Sequence, residues 1–195
     1  MILPIVAYGD PVLRKMGEDI DQNYPDLSQL IENMWETMYK AHGVGLAAPQ
    51  IGKAIRLFVI DASPFADDEE LTEEEKIELQ NFKKVFINAE IIEESGDEWA
   101  FSEGCLSIPG INEDVFRSEF VKIKYLDENF QQHTEVLSGL AARVFQHEYD
   151  HIDGVLFTDL LSGLKKRLIK KKLENITKGN VNAEYRMRFP KLKKK

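Results

Sequence analysis

The sequence predicts an α+β fold: small mixed or antiparallel sheets around a central metal-binding helix carrying His-Glu-x-x-His, then a basic C-terminal helix and tail. Three observations lead there. Strand-like runs cluster ahead of the histidine motif, helix-spaced apolar residues lie near each end of the chain, and no internal repeat or second core separates them. A chain of 195 residues is most simply one domain, long enough to bury a sizeable core.

The elements follow in order. Leu27, Leu30, Ile31, Met34, Trp35 and Met38 recur at helical spacing, so 27–39 is expected as a helix with Gly43 as its terminator. Residues 55–60 are a short apolar strand, and 85–92 are the next strand candidate. Between them, 66–78 is an acidic insertion expected as an exposed loop or solvated helix. Val121, Ile123 and Tyr125 alternate with Lys122 and Lys124, a strand with one wet face. Asp127-Glu128-Asn129 then turns into a strand over 130–137. A helix from Leu140 carries the histidine motif, and Gly154 ends it. Leu161, Leu164 and Leu168 mark one side of a further helix, whose remaining surface is crowded with Lys165, Lys166, Lys170, Lys171 and Lys172. Residues 178–195 show no convincing apolar periodicity and are expected as an extended or disordered tail, leaving 1–177 as the single domain.

The motif carries the chemistry. On a helix His147 and His151 lie one turn apart and can offer two imidazole nitrogens to one metal ion. Glu148 sits beside the first ligand, where a carboxylate can take a proton from a water that the metal acidifies. The only cysteine, Cys105, within Glu-Gly-Cys-Leu-Ser-Ile-Pro-Gly at 103–110, supplies a third ligand. Two imidazoles and a thiolate leave one coordination position open, as in catalytic rather than structural sites. The set suits Zn²⁺ and also accepts Fe²⁺, Co²⁺ or Ni²⁺. Glu103, Arg117 and Asp150 are candidates for orienting the imidazoles. His42 and His133 lack ligand spacing and are expected as surface or capping residues.

Charge is unevenly spread. The net charge is −9, yet residues 165–195 hold thirteen Lys/Arg and two Asp/Glu, a balance of +11 on an otherwise acidic body. No window is apolar enough to span a bilayer, and no basic leader opens the chain, so neither membrane nor secretion is expected. A single cysteine excludes an intramolecular disulfide, and a thiol needed as a ligand favours the cytoplasm.

Three segments in order resemble the signature motifs of peptide deformylases: Gly-Val-Gly-Leu-Ala-Ala-Pro-Gln-Ile-Gly at 43–52, Glu-Gly-Cys-Leu-Ser-Ile-Pro at 103–109, and Gln-His-Glu-Tyr-Asp-His at 146–151. Tyr-Gly-Asp-Pro-Val-Leu-Arg at 8–14 is similar to that family's opening signature, and the likeness spans roughly 1–160. The resemblance implies removal of the formyl group from the initiator methionine of new polypeptides, with Fe²⁺ as the physiological ion. It makes Cys105, His147 and His151 ligands, Glu148 the proton carrier, and the Gln50 side chain and Leu106 N–H the donors to the oxyanion. Val44, Leu140 and Val144 become candidates for the methionine pocket, and Gly45 a main-chain partner of an extended peptide. Arg143 is expected near the pocket's mouth. Many relatives carry a charged residue soon after Ser-Ile-Pro, where this chain has Gly110-Ile111-Asn112. The implied partners are N-formyl-methionyl nascent peptides, and the ribosome through the basic C-terminal segment, without sequence-specific nucleic-acid binding.

Two rivals make different demands. A zinc endopeptidase or aminopeptidase usually finds its third ligand downstream of His-Glu-x-x-His, and no histidine follows His151. A noncatalytic metal-stabilised module contacting RNA needs neither Glu148 nor Gln50.

Overall fold

A computed structural model describes residues 1–190. In chain order these form β1 (Ile5–Val6), α1 (Leu27–Lys40), β2 (Gly45–Ala47), β3 (Leu57–Asp61), α2 (Glu73–Gln80), β4 (Lys83–Cys105), β5 (Ile108–Leu126), β6 (Gln132–Ser138), α3 (Gly139–Ile152), α4 (Gly163–Thr177) and β7 (Met187–Arg188). Strands β2 to β6 make one antiparallel sheet in sequence order, with β2 at an edge, and β1 pairs with β7 in parallel. The architecture is the expected α+β arrangement around α3.

Strand β3 is buried at every position, which is why its first four residues, Leu57 to Ile60, read as an unbroken apolar run. Its two faces feed different layers. Phe58 and Ile60 join Phe86, Val121, Ile123 and Phe145 between the sheet and α3. Leu57 and Val59 pack with Leu30, Ile31, Met34 and Met38 of α1 on the other side. Phe58 stacks on Phe86 at 4.9 Å, and Phe145 meets both edge-on at 5.3 and 5.1 Å. Burying each such ring contributes about 1.5–3 kcal/mol, so this aromatic knot anchors α3 to the sheet.

Helix α1 runs as its spacing predicts, but its end differs. His42, not Gly43, takes the left-handed conformation (φ 56°) that closes the helix. Gly43 is needed for space instead: a Cβ there would lie 2.8 Å from Leu106 Cδ1. Gly154 does adopt a positive φ (74°) just past α3, as expected. The acidic insertion holds α2, capped by reciprocal Thr72–Glu75 hydrogen bonds and burying only Leu79.

Two expectations are corrected. Leu164 and Leu168 are 61% and 70% exposed, while Ile169 and Ile176 form the buried side of α4 beneath Leu161. The tail expected from 178 onward is not separate over 178–190. Val181, Met187 and Phe189 pack on the third core cluster, Tyr185 packs on the second, and β7 completes a ladder with β1. Residues 191–195 lie outside the described residues.

Candidate active site

The β4–β5 hairpin closes through the two-residue turn Leu106-Ser107, with Cys105 paired to Ile108. Helix α3 lies against this end of the hairpin. The helix sets the His147 and His151 rings edge-to-face at a separation of 5.1 Å, and the hairpin presents Cys105 beside them, Sγ 3.3 Å from His151 Nε2. One ligand atom from each of the three residues lies within 4.8 Å of the others. Elements far apart in sequence thus converge on one point.

The rest of the site orients these groups. Glu103 Oε2 lies 2.9 Å from His147 Nδ1; a carboxylate there accepts a hydrogen bond from Nδ1–H, which favours the tautomer whose Nε2 lone pair faces the cluster. Arg117 grips Glu103 through two hydrogen bonds of 2.7 and 2.9 Å, and donates a third to Asp150 at 2.8 Å. Arg143 adds a 3.0 Å bond to Glu103. Burial alone would raise the Glu103 carboxyl; the His147 and Arg117 hydrogen bonds outweigh it and hold the group well below the usual carboxylate range.

The donor set fits a metal cation. Burial pushes His151 well below its ordinary value, keeping it neutral. Burial acts the same way on His147, but the Cys105 sulfur and Glu103 overcome it and push this imidazole well above its ordinary value. The sulfur and carboxylate therefore draw positive charge to the point where a metal ion would supply it. Cys105, His147 and His151 are the residues that could hold that ion, in a ligand set that Zn²⁺ and Fe²⁺ both accept.

Glu148 reaches toward β2. It is buried, and among the described residues its Oε2 has no hydrogen-bond partner. Burial raises its carboxyl to about 7. Gly45 makes the room: a Cβ there would come within 2.7 Å of Glu148 Cδ. Gln50 is fixed from behind. Its Oε1 accepts from Ala47 N–H at 2.8 Å, which turns Nε2 toward Cys105 Sγ and Ser107 Oγ, each 3.5 Å away.

A cavity of about 540 Å³ opens over this group. Val44, Gly45, Gln50, Leu106, Arg143, Val144, His147 and Glu148 line it, as do Gly110 and Asn112. Its apolar lining and few convergent polar groups suit a small hydrophobic side chain joined to a reactive amide.

Residues 2–167 match the family model described as polypeptide deformylase. The chain belongs to the polypeptide deformylase family. A peptide deformylase of Christiangramia forsetii is 68% identical over 194 residues, covering 100% of this chain and 99% of its own. One from Flavobacterium johnsoniae is 62% identical with the same coverage. Among solved structures, a peptide deformylase from Legionella pneumophila superposes with a TM-score of 0.76 at 39% identity, covering 92% of this chain and 98% of its own. One from Plasmodium falciparum gives 0.77 at 35% identity, covering 90% and 95%.

In this deformylase fold, most residues singled out in the sequence meet at one place; Leu140 stands outside it, and Arg143 lines the cavity without reaching its mouth. Leu140 packs against the large core cluster and is not among the cavity's lining residues. Arg143 is 2% exposed, not at the mouth, with its guanidinium committed to Glu103 and the carbonyls of Val115 and Trp99. His42 is exposed at the cavity rim, and His133 pairs with Asp127 at 2.8 Å away from the site. Sequence reasoning missed Phe65, Phe101 and the stretch Asn182 to Tyr185, all of which line the cavity. The apolar alternation of 181–189 was the signal for the last of these.

Proposed function

We propose that the chain hydrolyses the N-formyl group of the initiator methionine of newly made polypeptides, releasing formate and a free amino terminus. The observation that carries this reading is the Cys105–His147–His151 cluster beside an unpartnered Glu148 oxygen, under an apolar cavity. When bound, a divalent ion polarises the formyl carbonyl and acidifies water; family likeness favours Fe²⁺, with Zn²⁺, Ni²⁺ or Co²⁺ in purified protein.

The chain's own groups supply the rest. Glu148 accepts the proton of the attacking water and returns it to the amine as the carbon–nitrogen bond breaks. Gln50 Nε2 and the Leu106 N–H donate to the oxygen on which negative charge develops. Val44 and Val144 border the space for the methionine side chain. Strand β2 lies at the edge of its sheet, so a substrate backbone can add alongside Gly45 by main-chain pairing. Such pairing recognises few downstream side chains.

The reading is tested with anaerobically purified, metal-assayed protein offered matched formyl-methionyl and unformylated peptides. Formate release from the first and no internal cleavage of either is expected. Preferred cleavage of internal peptide bonds would make the protein a peptidase and overturn the reading.

The cytoplasm is the proposed location; among the described residues, no helix is long and apolar enough to cross a membrane. The basic surface of α4 is the proposed ribosome anchor, because Lys170, Lys171 and Lys172 are exposed beside bare Leu168. Reversing the charge of those three lysines should leave short-peptide turnover intact and weaken ribosome co-sedimentation in a salt-dependent way. Equal co-sedimentation of both proteins at low and moderate salt would remove this role.

A further inference from the structure

We propose that Tyr185 is a positioning residue for deformylation: its hydroxyl, carried in by the C-terminal strand, fixes the Leu106 carbonyl and thereby steadies the Leu106 N–H. The proposal rests on the reading of that N–H as a donor to the developing oxyanion.

The turn 106–107 has to hold one of the site's two donors still, and its own hairpin cannot do so. Its ladder closes at the Cys105–Ile108 pair, so the Leu106 and Ser107 carbonyls look outward for partners. Both find one on the terminal segments. Tyr8 N–H donates to Ser107 O at 2.8 Å, and the Tyr185 hydroxyl donates to Leu106 O at 2.7 Å. Among the described residues the Leu106 N–H itself donates to no backbone carbonyl, which leaves it for substrate.

These two clamps belong to one small ladder. Tyr8 follows β1 and Tyr185 precedes β7; the strands are joined by Ile5 N–H to Arg186 O and Ala7 N–H to Arg188 O, each 2.9 Å. Arg188 lies beside the other donor segment, its half-exposed guanidinium over Gly52, where a Cβ would meet Nη2 at 2.5 Å. The ladder therefore touches both the turn bearing Leu106 and the loop bearing Gln50. With Cys105 held in the ladder on one side, fixing the peptide plane on the other side of the Leu106 Cα leaves the turn little freedom to carry the N–H out of place. Tyr185 lies beyond residue 167, where the family model's match ends, so that match does not assign it.

The test is Tyr185→Phe in the full, metal-loaded chain, which keeps the ring and removes only the hydroxyl. Turnover per bound metal should fall about tenfold, with KM within about twofold of wild type and unchanged metal stoichiometry. Wild-type turnover per bound metal overturns the proposal, including in a variant that melts earlier or loads less metal, because the tyrosine is then merely structural. A raised KM at unchanged kcat overturns it too, since that marks a cavity wall. Gln50→Ala separates this idea from the one beneath it. That variant should lose about 100-fold in kcat if the oxyanion reading holds. Loss in Gln50→Ala with wild-type turnover in Tyr185→Phe rejects Tyr185 alone; wild-type kcat in both variants rejects the donor reading and the proposal with it.

Discussion

Glu148→Ala is expected to lower kcat on a formyl-methionyl peptide by about 10³-fold, the scale of a positioned general base, while metal content stays stoichiometric. The carboxylate adjoins the ligands without being one, so its removal leaves Cys105, His147 and His151 intact. Stability argues the same way. A buried carboxyl oxygen without a partner disfavours the folded state, so the alanine variant should melt no lower than wild type. The wild-type pH profile carries a matching signature. Burial, the largest influence, raises the carboxyl to about 7, and a neighbouring dication would pull it down from there. Activity therefore falls as pH drops through a value at or below 7, because the protonated carboxyl accepts no proton. That limb should be absent from the residual activity of the variant. Turnover within about tenfold of wild type in metal-loaded Glu148→Ala would remove the residue from proton transfer.

Glu103→Ala is expected to be the most destabilising change at the site, by about 3–5 kcal/mol, because it strands buried cations. Glu103 is 4% exposed and accepts from Arg117, Arg143 and His147 at once. Its loss leaves the 7%-exposed Arg117 and 2%-exposed Arg143 with excess positive charge and frees the His147 ring. Metal affinity should drop about 10–100-fold even where the variant is folded, since the ring's tautomer and orientation are no longer set. Glu103→Gln keeps the volume and separates the two effects: a smaller stability loss with a similar affinity loss. The pH dependence has a definite sign. The carboxyl is held below its ordinary value, so its stabilisation is full above about 4.3 and fades as pH falls toward the folded value. Urea melts and chelator competition read both quantities. A Glu103→Ala protein with wild-type values of both would show that the imidazole is oriented by something else.

The site was more legible in the sequence than the sheet that supports it. His147, Glu148 and His151 sit on a helix whose period displays their geometry directly, and a sole cysteine leaves few alternatives for the thiol. Glu103, Arg117 and Asp150 were nominated by charge; their convergence depends on hairpin register, which no local pattern reveals. The stretch between the strand candidates at 85–92 and 121–125 concealed most of the longest hairpin. Register shifts between Ile91 and Glu93 and between Ser95 and Glu98 break the period-two alternation there, and the acidic run around them reads as loop. On α4, a plausible stripe through Leu164 and Leu168 faces solvent, because Leu161 anchors the preceding turn and Ile169 and Ile176 meet the core. The C-terminal segment does carry a pattern. Val181, Ala183, Tyr185, Met187 and Phe189 alternate with polar residues, a strand rhythm masked by the surrounding lysines and arginines.

The three-residue length of β2 limits what its open edge can do. Three residues extend for only about 10 Å, and Gln50 already takes the Ala47 N–H, so backbone pairings are left mainly at Gly45. A longer bare edge would act as a template for any extended chain, including another unfolded copy of the protein. On the proposed pairing, the short one would grip a client at its very first residues and let the remainder trail free. Such brevity suits an enzyme that must meet every fresh chain in turn and keep none.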